Sequence, residues 1–373
     1  MNTIIKNGKI ILPDKVVEDH YLRIENGFIK EISKNYDAHK NDEIIDAGNN
    51  YISPGFFDTH IHGAGSSGFE TPDQDLFAGL CNFLLENGVT TFLPTILCNE
   101  DYIKTLVRNI NANPKFKKRI PGIYIEGPFV NPDMKGGINP KYIMKPDIEY
   151  LKRIIDLSEG LLKIMTIAPE LEGIDTIIDF LLDHNIIPSF GHSNTSLDNA
   201  LLKNRVKNIT HLFNAMSGIS HKDPGLAALP FINRNIFVEV NGDGVHLDNK
   251  IIKLCFDHLN RDKLIFITDA VISAGYPYGN GFYDTDKEIV SSERGVRYKE
   301  SDVLIGSSFL IPDVLRNLAK SANAEISELI NTVTFNPAKL LSVDKEKGSI
   351  EVGKRADIVI FDDDFHVNIV ILS

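Results

Sequence analysis

Six residues with metal-ligating side chains stand at the ends of short β-like runs in this sequence. Glu126, His192, His211 and Asp269 each follow such a run directly, and His60-Ile61-His62 closes an earlier one. Carboxylate and imidazole donors together suit a divalent metal such as Zn or Fe. Because a divalent metal makes hydroxide available from water at neutral pH, this set of donors indicates metal-dependent hydrolysis.

The histidines of the His60-Ile61-His62 stretch are two positions apart. On a β-strand this spacing places both imidazoles on one face, where they can chelate a single ion. Asp58 shares that face, and we expect its carboxylate to orient one of the histidines. A lone pair of this kind is a weak signal, so the prediction depends on the other donors lying nearby.

The remaining donors differ in their predicted roles. Glu126 ends an apolar run, where an ionised carboxylate needs a partner such as a metal. Asp269 is predicted to be the general base, which takes a proton from water and returns it to the leaving group. His246 lies slightly beyond the end of its run, so we predict that it contacts substrate rather than metal.

The elements that must position these residues alternate between strand-like and helical patterns. In the first helical pattern, Leu76, Leu80, Phe83 and Leu84 share one face. Eight alternating repeats favour a closed (β/α)8 barrel of the TIM type, whose active sites are built at the carboxyl ends of the strands. The strand-like runs are at 55–60, 89–93, 122–126, 163–166, 186–191, 208–211, 236–240 and 264–268.

Both ends of the chain read as short strands. Asn7-Gly8 and Asn26-Gly27 each separate two β-like runs, and such pairs favour hairpins. Short strands are not stable alone, so we expect both termini to form one small β-sandwich domain. The predicted domains are residues 1–53 and 345–373 for this β-domain and residues 54–344 for the metal-dependent barrel.

The bulk composition excludes several classes of protein. The chain has 373 residues, 43% of them hydrophobic, and its net charge of −12 argues against a nucleic-acid partner. Cys81, Cys98 and Cys255 form no C-x-x-C pair, which is typical of a reduced, cytoplasmic protein. We predict no membrane association, because no run approaches the roughly 18 apolar residues of a membrane span.

Several of these stretches resemble motifs of a known family. Residues 54–63, which contain the two histidines, resemble the opening signature of the amidohydrolase superfamily. Three further stretches are similar to motifs of the N-acetylglucosamine-6-phosphate deacetylase family: Glu126-Gly127-Pro128, Gly191-His192-Ser193 and Thr268-Asp269-Ala270. So are residues 211–216, 223–225 and 243–246, together with the C-terminal stretches 336–338 and 348–357.

The resemblance implies a set of roles and partners. Glu126, His192 and His211 would hold one divalent metal, and His60 and His62 would hold a second, with Glu126 bridging and Asp269 nearby. The metal would be Zn, Fe, Mn or Co, with one or two ions in each subunit. The backbone at Asn214 and Ala215, with the His246 side chain, would contact the sugar phosphate. The resemblance also implies a homodimer.

Two positions depart from the family pattern. The family carries a histidine that polarises the acetyl carbonyl where this chain has Ile138, so a second metal is expected to take over that task. The family also carries an arginine that reaches the phosphate across the dimer interface, where this chain has Lys222. Lysine keeps the charge but loses the bidentate geometry of arginine.

These observations predict hydrolysis of N-acetylglucosamine 6-phosphate to glucosamine 6-phosphate and acetate. An alternative is a deacetylase of another N-acyl hexosamine phosphate, such as N-acetylgalactosamine 6-phosphate. A non-catalytic sugar-phosphate binder is a third reading, although binding alone does not require the acid Asp269. The segment 276–301 either covers the site or forms a surface hairpin.

Overall fold

The computed structural model of the chain describes residues 2–35, 42–283 and 287–373. Within them, eight parallel strands form one sheet whose spatial order follows the chain. Their runs of Val, Ile, Leu and Phe are buried, as expected for parallel strands covered on both faces. The strands are β1 (Phe56–Ile61), β2 (Val89–Leu97), β3 (Ile123–Glu126), β4 (Leu162–Ile167), β5 (Ile187–Phe190), β6 (Asn208–Ile209), β7 (Phe237–Asn241) and β8 (Leu264–Ile267).

Hydrogen bonds just beyond β8 close the sheet against β1. The backbone N–H of Asp269 donates to the carbonyl of His60 at 2.9 Å, and that of His62 donates to the carbonyl of Ala270 at 2.8 Å. The predicted TIM-like barrel is therefore confirmed. Closure also brings the carboxyl ends of the first and last strands side by side, although they are about 200 residues apart in the chain.

Helices follow most of the barrel strands and cover the outside of the sheet. Among the described residues, every helix is too short or too polar to cross a membrane. The first helix buries Phe77, Leu80, Cys81 and Leu84, whereas Leu76 is 51% exposed, so the predicted apolar face was wrong at Leu76. The α-helices span Gln74–Glu86, Glu100–Ala112, Pro114–Lys117, Ile148–Leu157, Ile174–Asp183, Leu197–Leu202, Leu229–Ile232, Asn249–His258, Ile311–Ser321, Ile326–Thr332 and Phe335–Leu340.

The two termini form one small β-domain, as predicted. Its two sheets enclose a separate apolar core that includes Ile5, Ile10 and Ile358. One sheet has the strands Phe28–Ser33, Tyr21–Glu25, Asn2–Lys6 and Glu43–Asp46, in that order. The other has Val367–Ile371, Ile358–Phe361, Tyr51–Pro54, Lys9–Ile11 and Val16–Val17. The exact boundaries given above for the domains stay predictions.

Only one of the two predicted hairpins is present. The strands on either side of Asn26-Gly27 pair antiparallel, and both turn residues have positive φ, which the tight turn requires. The strands around Asn7-Gly8 do not pair with each other, so that prediction was wrong. Asn2–Lys6 pairs within the first sheet and Lys9–Ile11 within the second. The Asn7-Gly8 pair therefore carries the chain from one sheet to the other, because Asn2–Lys6 pairs with Tyr21–Glu25 and Lys9–Ile11 pairs with Tyr51–Pro54.

The excursion after β8 forms an antiparallel sheet over the mouth of the barrel. Its strands are Asn280–Tyr283, Lys287–Ser292, Gly295–Tyr298 and Leu304–Gly306. The Tyr298 hydroxyl donates to the carbonyl of Gly137 at 3.0 Å. A Cβ at Gly137 would lie 3.1 Å from the backbone of Ile305, so glycine allows this close approach. Of the two alternatives for 276–301, the described residues favour a segment that covers the site; residues 284–286 lie outside them.

Candidate active site

The six predicted metal-type residues lie together at the carboxyl end of the barrel. Their donor atoms form two groups of three, and within each group all donor atoms lie within 4.8 Å of one another. The first group is His60, His62 and Asp269; the second is Glu126, His192 and His211. All six side chains are buried. Each group therefore has the number, type and spacing of donors that a divalent metal needs.

Glu126 lies between the two groups. Its Oε1 atom is 2.9 Å from Nε2 of His192 and 3.0 Å from Nε2 of His211. Its Oε2 atom is 3.3 Å from Nε2 of His62. Burial alone would raise the pKa of Glu126, but hydrogen bonds from His192, His211 and His62 hold it well below its ordinary value. The carboxylate is therefore ionised at neutral pH and faces both groups.

The ring of His60 presents a nitrogen that has no hydrogen-bond partner among the described residues. Its buried Nε2 lies 3.6 Å from Asp269 Oδ1 and 3.7 Å from Glu126 Oε1. Burial disfavours a charged ring, yet the carboxylates of Asp269, Glu239 and Glu126 outweigh it and raise the pKa of His60 to about 9. A buried nitrogen among several carboxylates is a place for a cation, so the residues present fit a metal ion.

Three of the six residues hold unusual backbone conformations. His192, His211 and Asp269 have φ values of 47°, 30° and 53°, in the left-handed region that residues with a side chain seldom adopt. Each such residue costs on the order of 1–3 kcal/mol unless its surroundings enforce the conformation. All three stand where a strand ends and the chain turns over the barrel mouth. Strain of this kind clusters at functional sites.

The orientation of His192 is set by a residue that the sequence did not indicate. Nδ1 of His192 lies 2.8 Å from the carbonyl oxygen of Met134, to which it donates. The other ring nitrogen, Nε2, then faces Glu126 and is the nitrogen available to a metal. Met134 lies in a short 3₁₀ turn, Pro132–Met134, and acts through its backbone, so its residue type carried no signal.

His246 lies beside Asp269, and its contact with substrate stays a prediction. Its Nδ1 is 2.8 Å from Asp243 Oδ2, and its Nε2 is 3.6 Å from Asp269 Oδ2. Burial opposes the charge on both partners, but the pairing raises the pKa of His246 and lowers that of Asp243. Asn214, also predicted, donates to Asn241 at 3.0 Å, and Asn241 in turn lies 3.5 Å from Asp269.

The prediction that Asp58 orients a histidine ring was wrong. The Asp58 carboxylate accepts from the Thr268 hydroxyl at 2.5 Å and from the backbone N–H of His60. Burial raises the pKa of Asp58 to about 7. The carboxylate that does contact the His60 ring belongs to Glu239 on β7, whose Oε2 lies 3.3 Å from Nδ1. A glutamate within the apolar stretch Phe237–Asn241 was the signal that could have found it.

A cavity above the two groups has a polar floor and an apolar wall. The polar side chains that line it include Asn214, His246 and all the donors except His60. No lysine or arginine of the described chain lines it. Ala215 lines it too, and the apolar wall is formed by Leu97, Ile138, Tyr283, Leu304 and Ile305.

Two predicted residues have very different settings. Ile138 is buried and packs with Leu97, Val130 and Tyr142, so its side chain supports the wall. Lys222 is exposed on the loop between β6 and β7 and does not line the cavity of its own chain. The structure therefore brings together every predicted site residue except Lys222.

Comparison with known proteins agrees with this geometry. Residues 51–373 match the amidohydrolase family. The N-acetylglucosamine-6-phosphate deacetylase of Bacillus subtilis (strain 168) is 31% identical over 98% of this chain and 94% of its own length. The N-acetylgalactosamine-6-phosphate deacetylase of Escherichia coli O157:H7 is 27% identical over 98% of this chain and 97% of its own length.

Solved structures give the same picture. The N-acetylglucosamine-6-phosphate deacetylase of Pasteurella multocida superposes with a TM-score of 0.92 at 26% identity, over 100% of this chain and 98% of the other. A mutant of the Mycobacterium smegmatis deacetylase in complex with N-acetyl-D-glucosamine-6-phosphate superposes with a TM-score of 0.90 at 25% identity, over 100% and 97%. The chain belongs to the amidohydrolase family and, within it, to the N-acetylglucosamine-6-phosphate deacetylase family.

Proposed function

We propose that this chain hydrolyses the N-acetyl amide of N-acetylglucosamine 6-phosphate to glucosamine 6-phosphate and acetate. The observation that carries the proposal is the pair of donor groups joined by Glu126 beneath a cavity. Relatives named for this activity match nearly the whole chain. In the reaction, water forms a bond to the acetyl carbon, the amide C–N bond breaks, and the sugar nitrogen takes a proton.

Glu126, His192 and His211 would hold one divalent metal, and His60, His62 and Asp269 a second. When bound, a divalent metal lowers the pKa of water and polarises a carbonyl oxygen. The site does not discriminate among Zn, Fe, Mn and Co, since all of them accept these donors. We propose two ions because Ile138 offers no side-chain donor to the acetyl carbonyl.

Asp269 is the proposed acid and base. Burial would raise its pKa, but the positive rings of His60 and His246 lower it below the ordinary value. Asp269 is thus an ionised carboxylate at neutral pH and can accept a proton from water. Its Oδ1 lies near His60 and its Oδ2 near His246, and the side chain lines the cavity. From there it can deliver the proton to the departing sugar nitrogen.

A phosphate group binds best beside a positive charge, and among the described residues no lysine or arginine of the same subunit lines the cavity. Asn214, Ala215 and His246 line the cavity and are the proposed contacts to the sugar phosphate. We propose that Lys222 of the second subunit of a homodimer supplies the remaining positive charge. The apolar wall at Ile138 and Leu304 excludes water from the reacting amide. A cytoplasmic location is part of the proposal.

Acetate release from four sugars tests the proposal. The purified protein is supplied in turn with Zn, Mn, Fe or Co and assayed on N-acetylglucosamine and N-acetylgalactosamine, each with and without 6-phosphate. We expect turnover of the 6-phosphates only, with N-acetylglucosamine 6-phosphate preferred. A preference for the galactosamine epimer would favour the second candidate, which the match to the E. coli O157:H7 protein supports. No acetate from any sugar, with metal bound, would leave only the non-catalytic binder.

A further inference from the structure

Glu239 is a fully buried carboxylate in the barrel interior, below the two donor groups. Its Oε2 atom lies 3.3 Å from Nδ1 of His60 and 3.4 Å from the hydroxyl of Tyr124, which donates to it. Its Oε1 atom accepts from the side-chain amide of Asn208 at 3.2 Å. These contacts fix both oxygens of the carboxylate. Among the described residues, no lysine or arginine forms an ion pair with it.

A layer of hydroxyl groups extends this arrangement across the barrel. The Tyr124 hydroxyl is 2.8 Å from that of Thr210 and 3.1 Å from that of Thr166. Ser189 is 2.6 Å from Thr210 and accepts from Asn208 at 2.9 Å. Because these residues lie on strands of a closed barrel or directly after them, the Glu239 carboxylate is held in a single orientation. A buried carboxylate destabilises the fold unless its partners compensate, so a specific role is expected of it.

That geometry determines which ring nitrogen of His60 is free. With Nδ1 donating to Glu239, the proton is held on the side away from the cavity. Nε2 then faces Asp269 and Glu126, has no hydrogen-bond partner in the described chain, and is the nitrogen that a metal can bind in place of a proton. A histidine that binds metal through one nitrogen commonly donates its other N–H to a carboxylate.

We infer that Glu239 is a positioning residue, which holds His60 in the orientation and tautomer that bind a divalent metal with His62 and Asp269. The inference rests on the proposed function and deepens it by assigning the residue that prepares the second metal group. The structural alternative is that Glu239 only completes the polar layer of the barrel and stabilises the fold.

Titration of the metal-free protein with Co²⁺ separates the two readings. The wild type is compared with Glu239→Gln, which keeps the shape and loses the charge, and with His62→Asn, which marks the first donor group. Thr166→Val is the matched control, because Thr166 contacts Tyr124 and Thr210 but neither Glu239 nor His60. Circular dichroism and the melting temperature of each metal-free variant report folding.

We expect the wild type to bind two ions. Glu239→Gln should weaken one of them about 10- to 100-fold, the same one that His62→Asn removes, with the other unchanged. Thr166→Val should bind both ions like the wild type. If Glu239→Gln fails to fold, Glu239→Asp, which keeps the charge at a longer distance, is titrated in its place with the same expectation.

Three outcomes would overturn the inference: one ion bound by the wild type, unchanged affinity in the Glu239 variant, or equal weakening by Thr166→Val. Acetate release is measured on the same samples. A wild type that binds two ions without releasing acetate contradicts the proposed function and leaves the positioning role intact. Acetate release by a wild type that binds one ion supports the deacetylase activity and contradicts the positioning role of Glu239.

Discussion

Glu126 Oε2 lies 3.3 Å from His62 Nε2, and this contact joins the two groups of donor residues at the barrel mouth. The other oxygen of the same carboxylate contacts His192 and His211. One side chain at the end of β3 is therefore shared by donors from β1, β5 and β6. Its position makes both groups depend on this one carboxylate.

Glu126→Gln is expected to weaken both metal groups, because the amide cannot supply a charge to either. His62→Asn should weaken only one. The measurement is the number of ions bound per chain after dialysis, determined by elemental analysis, with activity assayed in parallel. Glu239→Gln serves as a comparison, since it too removes a buried charge. Retention of two ions by Glu126→Gln would contradict a shared role for Glu126.

Asp269→Asn should lower the rate of acetate release by roughly 100- to 10,000-fold, the usual range for loss of a general base. The ion held by Glu126, His192 and His211 should remain, because Asp269 is not in that group. Rate and bound metal are measured on the same preparation. Asp243→Asn, which perturbs His246 instead, is the control. Near wild-type turnover in Asp269→Asn would refute the assignment of the base.

Ile138→His tests whether the metal held by His60 and His62 replaces the histidine that the family carries at position 138. In the wild type we expect little change in turnover, because the second metal already polarises the carbonyl. In a His62→Asn background the new imidazole should restore part of the lost turnover. Ile138→Leu, which keeps the apolar wall, should restore none.

The melting temperature should be recorded for each Ile138 variant, because a polar ring among Leu97, Val130 and Tyr142 costs on the order of 1–3 kcal/mol. If the double variant is folded and no faster than His62→Asn, the imidazole at position 138 cannot replace the second metal in polarising the carbonyl.

Mixing two variants that are both impaired at low substrate concentration tests the proposed contribution of Lys222 across a dimer. Lys222→Ala should raise the KM for the 6-phosphate more than it changes kcat, and Lys222→Arg should lower the KM through its bidentate geometry. A mixture of Lys222→Ala and Asp269→Asn subunits, unfolded and refolded together, should regain activity. One site of each mixed dimer then has both wild-type residues. Activity equal to the sum of the separate variants would exclude sharing.

The stability of the metal-free protein should fall as the pH rises from 6.5 to about 9. The folded-state pKa of His60 is about 9, above its ordinary value of 6.5, so its proton stabilises the fold fully below pH 6.5. That contribution disappears as the pH passes through the folded pKa. We expect the melting temperature to drop by a few degrees, on the scale that about 1–2 kcal/mol produces.

His60→Asn, without this proton, should show a flatter profile over the same range. Metal reverses the trend, because it competes with the proton for Nε2. The gap between the metal-loaded and metal-free melting temperatures should therefore widen with rising pH. A constant gap from pH 6.5 to 9 would show that His60 does not bind the metal.

Local pattern was enough to predict most of the scaffold. The alternation of strand and helix depends on near neighbours in sequence, and donors that follow strands had to meet once the sheet closed. The same reasoning failed at Asn7-Gly8, where a local hairpin signal lost to pairing with distant strands. It failed at Asp58 because a spacing of two residues predicts which face of a strand a side chain occupies, but not which residue it contacts.

The sequence by itself determined the barrel, the donor residues at its mouth and their chemistry, because strand period and residue type are local properties. Only the tertiary structure decided how those donors divide into two groups and which residues orient them. The carboxylate of Glu239 meets His60 across 179 positions, and the carbonyl of Met134 meets His192 across 58. Contacts of that range arise from the closure of the barrel, and a backbone carbonyl leaves no mark in the residue type.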